Sequence, residues 1–282
     1  MDSKLNIRSG QSGEYGVMYS DGKHTVSCRQ MNGEIEYFRT LNKQMKPWLY
    51  RVPFIRVMEK LRLMFLNTHE HVHFLKGSKQ APKIMPFYLR FFLFMLVVTP
   101  LYLGLMWTVD FIVREFPNDS LELAIEGLLM YGLFMLVAST SMSLRSKRYH
   151  SAEHQAVNAF REYDKNIALD HVKASSRFHA SCGTGAAFSV AVGVFITLSI
   201  FYFIVPKSEF LMHSVLNILL FPIGVSVGME LFSFIPLLYR KTGIVLLVYP
   251  SFLLQRFTTK KATDEELQVA MLAIKKTIEY HK

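Results

Sequence analysis

The sequence predicts an α-helical integral membrane protein with about four transmembrane helices, a small N-terminal cytoplasmic β-meander and a C-terminal amphipathic helix. Three observations predict it: long uncharged apolar runs, basic residues confined to alternate segments between those runs, and short β-prone stretches near the N-terminus. Hydrophobic residues make up 51% of the 282-residue chain. They are gathered into Phe91–Val109, Gly127–Leu144, Gly183–Pro206 and Phe210–Met229, the last resuming after Glu230 as Leu231–Tyr239. A bilayer-spanning helix needs roughly 17–25 apolar residues, so each run is long enough for one span. A fifth run, Thr242–Gln255, has 14 residues and contains Pro250. It fits a re-entrant or interfacial segment better than a span.

The net charge of +10 follows topology and gives no sign of nucleic-acid binding. Lys and Arg crowd the N-terminal region, the 145–177 loop and the tail from Arg240 onward. The 110–126 loop is acidic instead, with Asp110, Glu115, Asp119, Glu122 and Glu126 against Arg114 alone. The positive-inside rule then puts both termini and the 145–177 loop in the cytoplasm. No apolar segment near the N-terminus reads as a signal peptide.

The expected organisation is a cytoplasmic region over 1–85, a four-span membrane domain over 86–262 carrying a cytoplasmic 145–182 motif loop, and a cytoplasmic amphipathic helix over 263–282. In the first region, Tyr15–Tyr19, His24–Arg29 and Ile35–Phe38 read as strands. Ser20-Asp21-Gly22 and Met31-Asn32-Gly33 punctuate them, and Asn-Gly is a strong hairpin signal. Pro53–Phe74 reads as an amphipathic helix whose basic face suits anionic headgroups at the membrane surface. No Pro or Gly occurs from Leu133 to Arg161, so the second span is expected to continue as one helix into that loop. Thr263-Asp264-Glu265-Glu266 is a capping box opening the closing helix.

Just past the second apolar run stands Tyr149-His150-Ser151-Ala152-Glu153-His154, an H-x-x-E-H string. On a helix, positions i, i+3 and i+4 share one face, so two imidazoles and a carboxylate are presented together. Two histidines at i, i+4 are half of a zinc site, and a non-ligating Glu between them serves as general base. The inverted zincins carry the same string. The plain alternative is a solvated helix end that carries two histidines. A second polar cluster, Arg177 to Thr184, precedes the third run and brings His179 and Cys182 as further metal ligands. Glu230, alone in an apolar stretch, is expected to ligate the metal, orient a ligand, or pair with Arg240 or Lys241 at its helix end. Alternating His69, His71 and His73 cannot share one helical face and are expected to be satisfied or solvated. Cys28 reads as a small buried residue in a strand, and a cytoplasmic disulfide with Cys182 is not expected.

In combination, Gly10-Gln11, Gly16-Val17-Met18, Tyr149-His150-x-x-Glu153-His154, His179-x-x-Cys182-Gly183-Thr184 and Leu254-Gln255-Arg256-Phe257-Thr258-Thr259 resemble the YqhQ family of bacterial integral membrane proteins. The similarity runs from about residue 10 to about residue 275. That family has no settled biochemical function, and the metal dependence ascribed to it rests on motifs such as these. The resemblance implies that His150, Glu153, His154, His179 and Cys182 belong together, and that the chain resides in a bacterial cytoplasmic (inner) membrane. There is one departure. The family commonly has a Glu directly before Gly16, where this chain has Tyr15 and places Glu14 one position earlier; in a strand, that shift turns the carboxylate to the opposite face.

These readings lead to the expectation of a zinc-dependent hydrolase of peptidase or amidase type at the cytoplasmic membrane face. His150 and His154 hold the divalent metal, His179 or Cys182 completes the site, and Glu153 is the base. Its partners would be the lipid bilayer and a membrane-bound peptide or lipid-linked substrate, with no nucleic acid. The rival is a non-catalytic scaffold or assembly factor, in which all four ligands close a structural site. A transporter gated by Glu230 is a third option.

Overall fold

A computed structural model describes residues 9–52, 55–78, 142–204 and 210–281, with Ile7 and the isolated positions 89, 93, 104, 108 and 140 besides. The first two expected spans lie outside the described residues but for such isolated positions and the Met142–Leu144 end, as does the acidic 110–126 loop. The described chain is mostly helical, with one antiparallel sheet at its N-terminus.

The sheet has four strands in the order β1 (Ser9–Ser12), β2 (Gly16–Ser20), β3 (His24–Met31) and β4 (Glu34–Leu41). The meander is therefore one strand longer than the sequence suggests, with β1 added at the edge. Asn32 and Gly33 both take positive φ, 54° and 85°, and join Met31 directly to Glu34. This left-handed pair makes a two-residue turn whose twist matches that of the flanking strands. In the β2–β3 turn, Asp21 accepts the N–H groups of Lys23 and His24, each at 2.7 Å. The β1–β2 turn contains Glu14 and Tyr15, so strand alternation does not govern them. Glu14 is exposed there, and the Arg145 guanidinium lies 4.7 Å from the Tyr15 ring centroid.

Both faces of β3 are covered. On one side lies α1 (Ile55–Leu75), which buries Val57, Leu63, His69, His71 and Leu75. The helix expected along the membrane surface thus packs on the sheet. His71 is fully buried, with Nδ1 2.6 Å from Ser27 Oγ and Nε2 2.7 Å from Thr40 Oγ1. Burial pushes its pKa down to about 4. A neutral folded-state imidazole that protonates when unfolded stabilises the fold fully above about pH 6.5, and that contribution is lost as pH falls towards 4. The expected loss is roughly 3 kcal/mol. It is checked by comparing unfolding midpoints of wild type and His71→Asn between pH 7 and pH 4, where only wild type should lose the increment.

On the other side of the sheet lie α2 (Leu144–Tyr163) and the C-terminal helix. α2 contributes Tyr149, Ala152, Ala156, Val157, Ala159 and Phe160 to a core shared with Val17, Tyr19 and Cys28 of the sheet. Cys28 is buried as expected, and its thiol is pushed up to about 12. A short α3 (Leu169–Ala174) adds Val172 to the same core.

The expected continuous helix from the second span is interrupted. Met142 and Ser143 are non-helical, and α2 starts afresh with Ser143 as its N-cap, the hydroxyl accepting Ser146 N–H at 3.1 Å. Serine competes with helix propagation through such local bonds, so a boundary forms without Pro or Gly.

Two apolar helices come next, α4 (Gly183–Ile204) and α5 (Phe210–Thr242). Within them Gly183–Phe201 and Leu219–Thr242 are long and apolar enough to cross a membrane, with mean hydropathies of 2.0 and 1.7. Gly193 of α4 meets the backbone of Gly224 and Gly228 so closely that a Cβ would collide with it. Gly224-x-x-x-Gly228 is the small-residue spacing that lets membrane helices approach backbone to backbone. Past α5, the 242–255 segment makes a short 3-10 turn and then enters α6 (Tyr249–Thr258).

The closing helix α7 (Asp264–His281) is opened by Glu266, whose carboxylate accepts Thr263 N–H at 2.6 Å, the reach-back half of a capping box. It does not stand alone. Leu267, Val269, Ala270, Ala273 and Ile274 fill the core between the sheet and α2. At its end, His281 Nδ1 lies 2.7 Å from Asp21 of the β2–β3 turn. Both ends of the chain therefore clamp the helix that carries H-x-x-E-H.

Candidate metal centre

The helical spacing puts His150 and His154 side by side on α2, with ring centroids 4.5 Å apart. Each ring is held by a backbone carbonyl from a different element. His150 Nδ1 lies 3.0 Å from Thr258 O at the end of α6, and His154 Nδ1 lies 2.7 Å from Arg177 O in the loop before α4. A carbonyl can only accept, so both Nδ1 atoms carry a proton, and it is Nε2 of each ring that is left to face the sulfur. Those Nε2 atoms point to Cys182, which lies just ahead of α4, with His150 Nε2 3.2 Å from its Sγ. His150, His154 and Cys182 together offer three ligand atoms within 4.8 Å of one another. Carbonyl-anchored histidines of fixed tautomer beside a thiol are the arrangement that metal ligation requires.

The electrostatics agree with this chemistry. Burial opposes ionisation of Cys182, but His154 and His150 outweigh it and hold the thiol well below its usual range. Burial likewise opposes a charged His154, yet the Cys182 thiolate and the Glu153 carboxylate push it up to about 9. The group thus prefers one proton on the histidine and a thiolate on the cysteine. A cation placed among these three atoms would replace that proton.

Glu153 sits on the same face, buried, with Oε2 3.5 Å from His154 Nε2. Burial raises its pKa, partly offset by the two histidines. Its carboxylate lies against the backbone of Gly10 in β1, where any Cβ would collide with Oε1. Behind it, Tyr19 donates its hydroxyl to Glu153 O at 3.1 Å. The sheet therefore forms one wall of the site.

His179 joins the wall of the same cavity of about 650 Å³ but not the tight triad. Its ring centroid stands 5.6 Å from that of His154, and its buried Nε2 has no hydrogen-bond partner among the described residues. Burial, and then Arg161, hold its pKa well below the usual histidine value. Glu230 lies elsewhere. Its carboxylate pairs with Arg56 of α1 at 2.8 Å, a partner 174 residues away, instead of Arg240 or Lys241.

Two positioning residues are not among the site candidates read from the sequence, although one, Gln255, lies in the Leu254–Thr259 string that carries the family resemblance. Gln255 of α6 is fully buried; it accepts His179 N–H at 2.8 Å and donates to His179 O at 2.9 Å. Asn158 of α2 donates to Ser176 O and Phe178 O at 2.8 and 3.0 Å. Together with His154 they fix the loop that delivers Cys182. Gln255→Leu strands both backbone groups of His179, each costing about 1–3 kcal/mol. Zinc affinity should then fall about 10–100-fold, as measured by competition with a chromophoric chelator; unchanged affinity would show that the loop holds itself.

Gly10, His150, Glu153, His154, His179 and Cys182 thus gather around one cavity, with Gln255 holding the His179 backbone behind it. The family model described as "Protein of unknown function (DUF1385)" matches residues 57–280. This chain belongs to the DUF1385 family. The "Uncharacterized protein YqhQ" of Bacillus subtilis (strain 168) is 25% identical over 295 residues, covering 93% of this chain and 89% of its own length. The YqhQ-family resemblance seen in the motifs therefore holds over nearly the whole chain. No solved structure matches. For this DUF1385 protein the chemistry of the site must be argued from its own residues.

Proposed function

We propose that this protein is a metal-dependent hydrolase of peptidase or amidase type, with its site at the cytoplasmic face of a four-span membrane domain. One observation carries the reading: both H-x-x-E-H histidines spend their Nδ1 protons on backbone carbonyls and turn Nε2 towards the Cys182 sulfur. Zinc suits two nitrogens and a thiolate, and His150, His154 and Cys182 are the residues that would hold it. When bound, such an ion acidifies water to a pKa of about 7 and so supplies a nucleophile at neutral pH.

Glu153 then has a defined task. Buried beside the ligands and packed against Gly10, it would take the proton released as water attacks and return it to the leaving amine. His179, outside the triad, presents an unpartnered nitrogen to the cavity, where a polar substrate atom would meet it. The scaffold alternative requires His179 as a fourth ligand, and His179 is not among the three ligand atoms that lie within 4.8 Å of one another.

The membrane setting rests on the two apolar helices, of which 22% each is buried within the protein. Soluble core helices hide most of their surface, whereas these turn theirs outward. Charge asymmetry supports cytoplasmic termini, and the exposed Val245, Leu246, Tyr249 and Phe257 support an interfacial 242–258 segment. The substrate is then a membrane-bound peptide or a lipid-linked amide.

The test uses 4-nitrophenyl acetate as a general reporter of activated water. Purified protein should hydrolyse it in a zinc-dependent manner, losing activity to a chelator and regaining it with zinc. Hydrolysis indifferent to the chelator would count against the proposal.

A further inference from the structure

The part of the cavity wall made by the start of α4 has a chemistry of its own. α4 begins there, and Gly183 and Thr184 line the wall. The N–H groups of Cys182, Gly185 and Ala186 are bonded to His179 O and Cys182 O. Those of Gly183 and Thr184 have no such bond among the described residues, so the first turn leaves two donors facing out. Next to them the buried Thr184 Oγ1 is unpartnered, and so is Nε2 of His179, a residue only 8% exposed. A buried polar atom without a partner marks a place where a ligand atom belongs.

Two guanidiniums complete the wall. Arg161 comes from the last turn of α2 and Arg240 from the last turn of α5. Both are exposed, and they repel each other. Neither forms an ion pair among the described residues; Arg240 only reaches Ser181 Oγ at 3.4 Å. Among the described residues, Glu153 is the one carboxylate lining the cavity, and it lies against Gly10 of β1. Convergent cations that repel each other are stable together when an anion sits between them.

We propose that this end of the cavity is a phosphate subsite: the substrate of the metal centre carries a phosphate group, clamped by Arg161 and Arg240 and capped by Thr184 Oγ1, His179 Nε2–H and the free N–H groups of α4. A phosphate has more acceptor oxygens than a carboxylate, and the donors available here match that larger number. α4 begins and α5 ends at this wall, and those two helices are the apolar pair. The subsite therefore stands at headgroup height, where a lipid-borne phosphate and a soluble one both arrive. Any reaction of the bound molecule rests on the metal-centre reading; the binding itself rests on the arginines.

The experiment measures radiolabelled inorganic phosphate binding to the full-length, zinc-loaded protein in phosphatidylcholine nanodiscs, with zinc content determined on the same samples. Wild type should bind one phosphate per chain. Arg161→Gln and Arg240→Gln should each weaken binding about tenfold or more with zinc content unchanged. Arg240→Lys, which keeps the charge but not the fork, should fall between and guards against a variant that fails to fold. Nanodiscs containing phosphatidic acid identify the source: competition assigns the phosphate to a lipid, and its absence to a soluble molecule. Zinc-loaded protein that binds no phosphate would overturn the subsite while leaving the metal centre standing. So would phosphate binding that ignores both arginines and vanishes with the zinc, since the anion would then sit on the metal alone. Protein that never takes zinc, yet binds phosphate through both arginines, would overturn the metal reading and uphold the subsite.

Discussion

His154→Ala is expected to lower zinc affinity by more than about 100-fold, beyond what loss of an outer-shell partner costs. On the proposed reading the side chain supplies one of three ligand atoms, and its Nδ1 is the link to Arg177 O that holds the Cys182 loop. Removing it therefore takes away a ligand and loosens another. The wild-type site should also bind metal with a defined pH dependence. His154 is held at about 9 before metal binds, so below that pH each zinc must displace about one proton. Affinity should fall about tenfold for each pH unit of acidification below 9. Calorimetry in buffers of different ionisation enthalpy measures the proton count. A value near zero at pH 7.5 would mean that the histidine and thiol are not the ligands.

Glu153→Gln is expected to separate binding from chemistry. Gln has the same shape and fits the same contact with Gly10, so zinc should remain bound within about tenfold of wild type. Hydrolysis of 4-nitrophenyl acetate should fall by about 10²–10⁴-fold, the usual contribution of a positioned general base. Folding stability should be unchanged or higher, because a neutral amide replaces a carboxyl whose ionised form burial disfavours. A variant that lost zinc and activity together would make Glu153 a ligand. One that kept full activity would remove it from the mechanism.

Features carried by local spacing were legible in the sequence. Asn32-Gly33 gave its hairpin because the two-residue loop needs positive φ at both positions. The pairing of His150 with His154 followed from helical geometry alone. The approach of His179 and Cys182 to them was foreseeable as a cluster, but the division of labour was not. Only the three-dimensional path of the loop puts Cys182 in the triad and His179 beside it.

Contacts between distant segments left no periodic trace. Gln255 belongs to a string that marks the family, but only the fold gives it a task, its amide spanning both backbone groups of His179. Gly10 reads as a strand-edge glycine until Glu153 is found against it. Glu230 suggested a ligand because a carboxylate in an apolar run is costly, yet Arg56 of an element far earlier in the chain satisfies it. The basic face of α1 suggested a membrane surface, while its buried histidine shows the opposite face to be shaped for the sheet. The one local signal overlooked was Gly224-x-x-x-Gly228, which marks where α4 and α5 touch.

The most direct test of the metal centre is the X-ray absorption spectrum at the zinc edge, recorded on protein purified without added metal. Ligation by His150, His154 and Cys182 predicts one sulfur at about 2.3 Å and the remaining nitrogen or oxygen atoms at about 2.0–2.1 Å. A zinc shell without sulfur, or protein that carries no zinc, would contradict it.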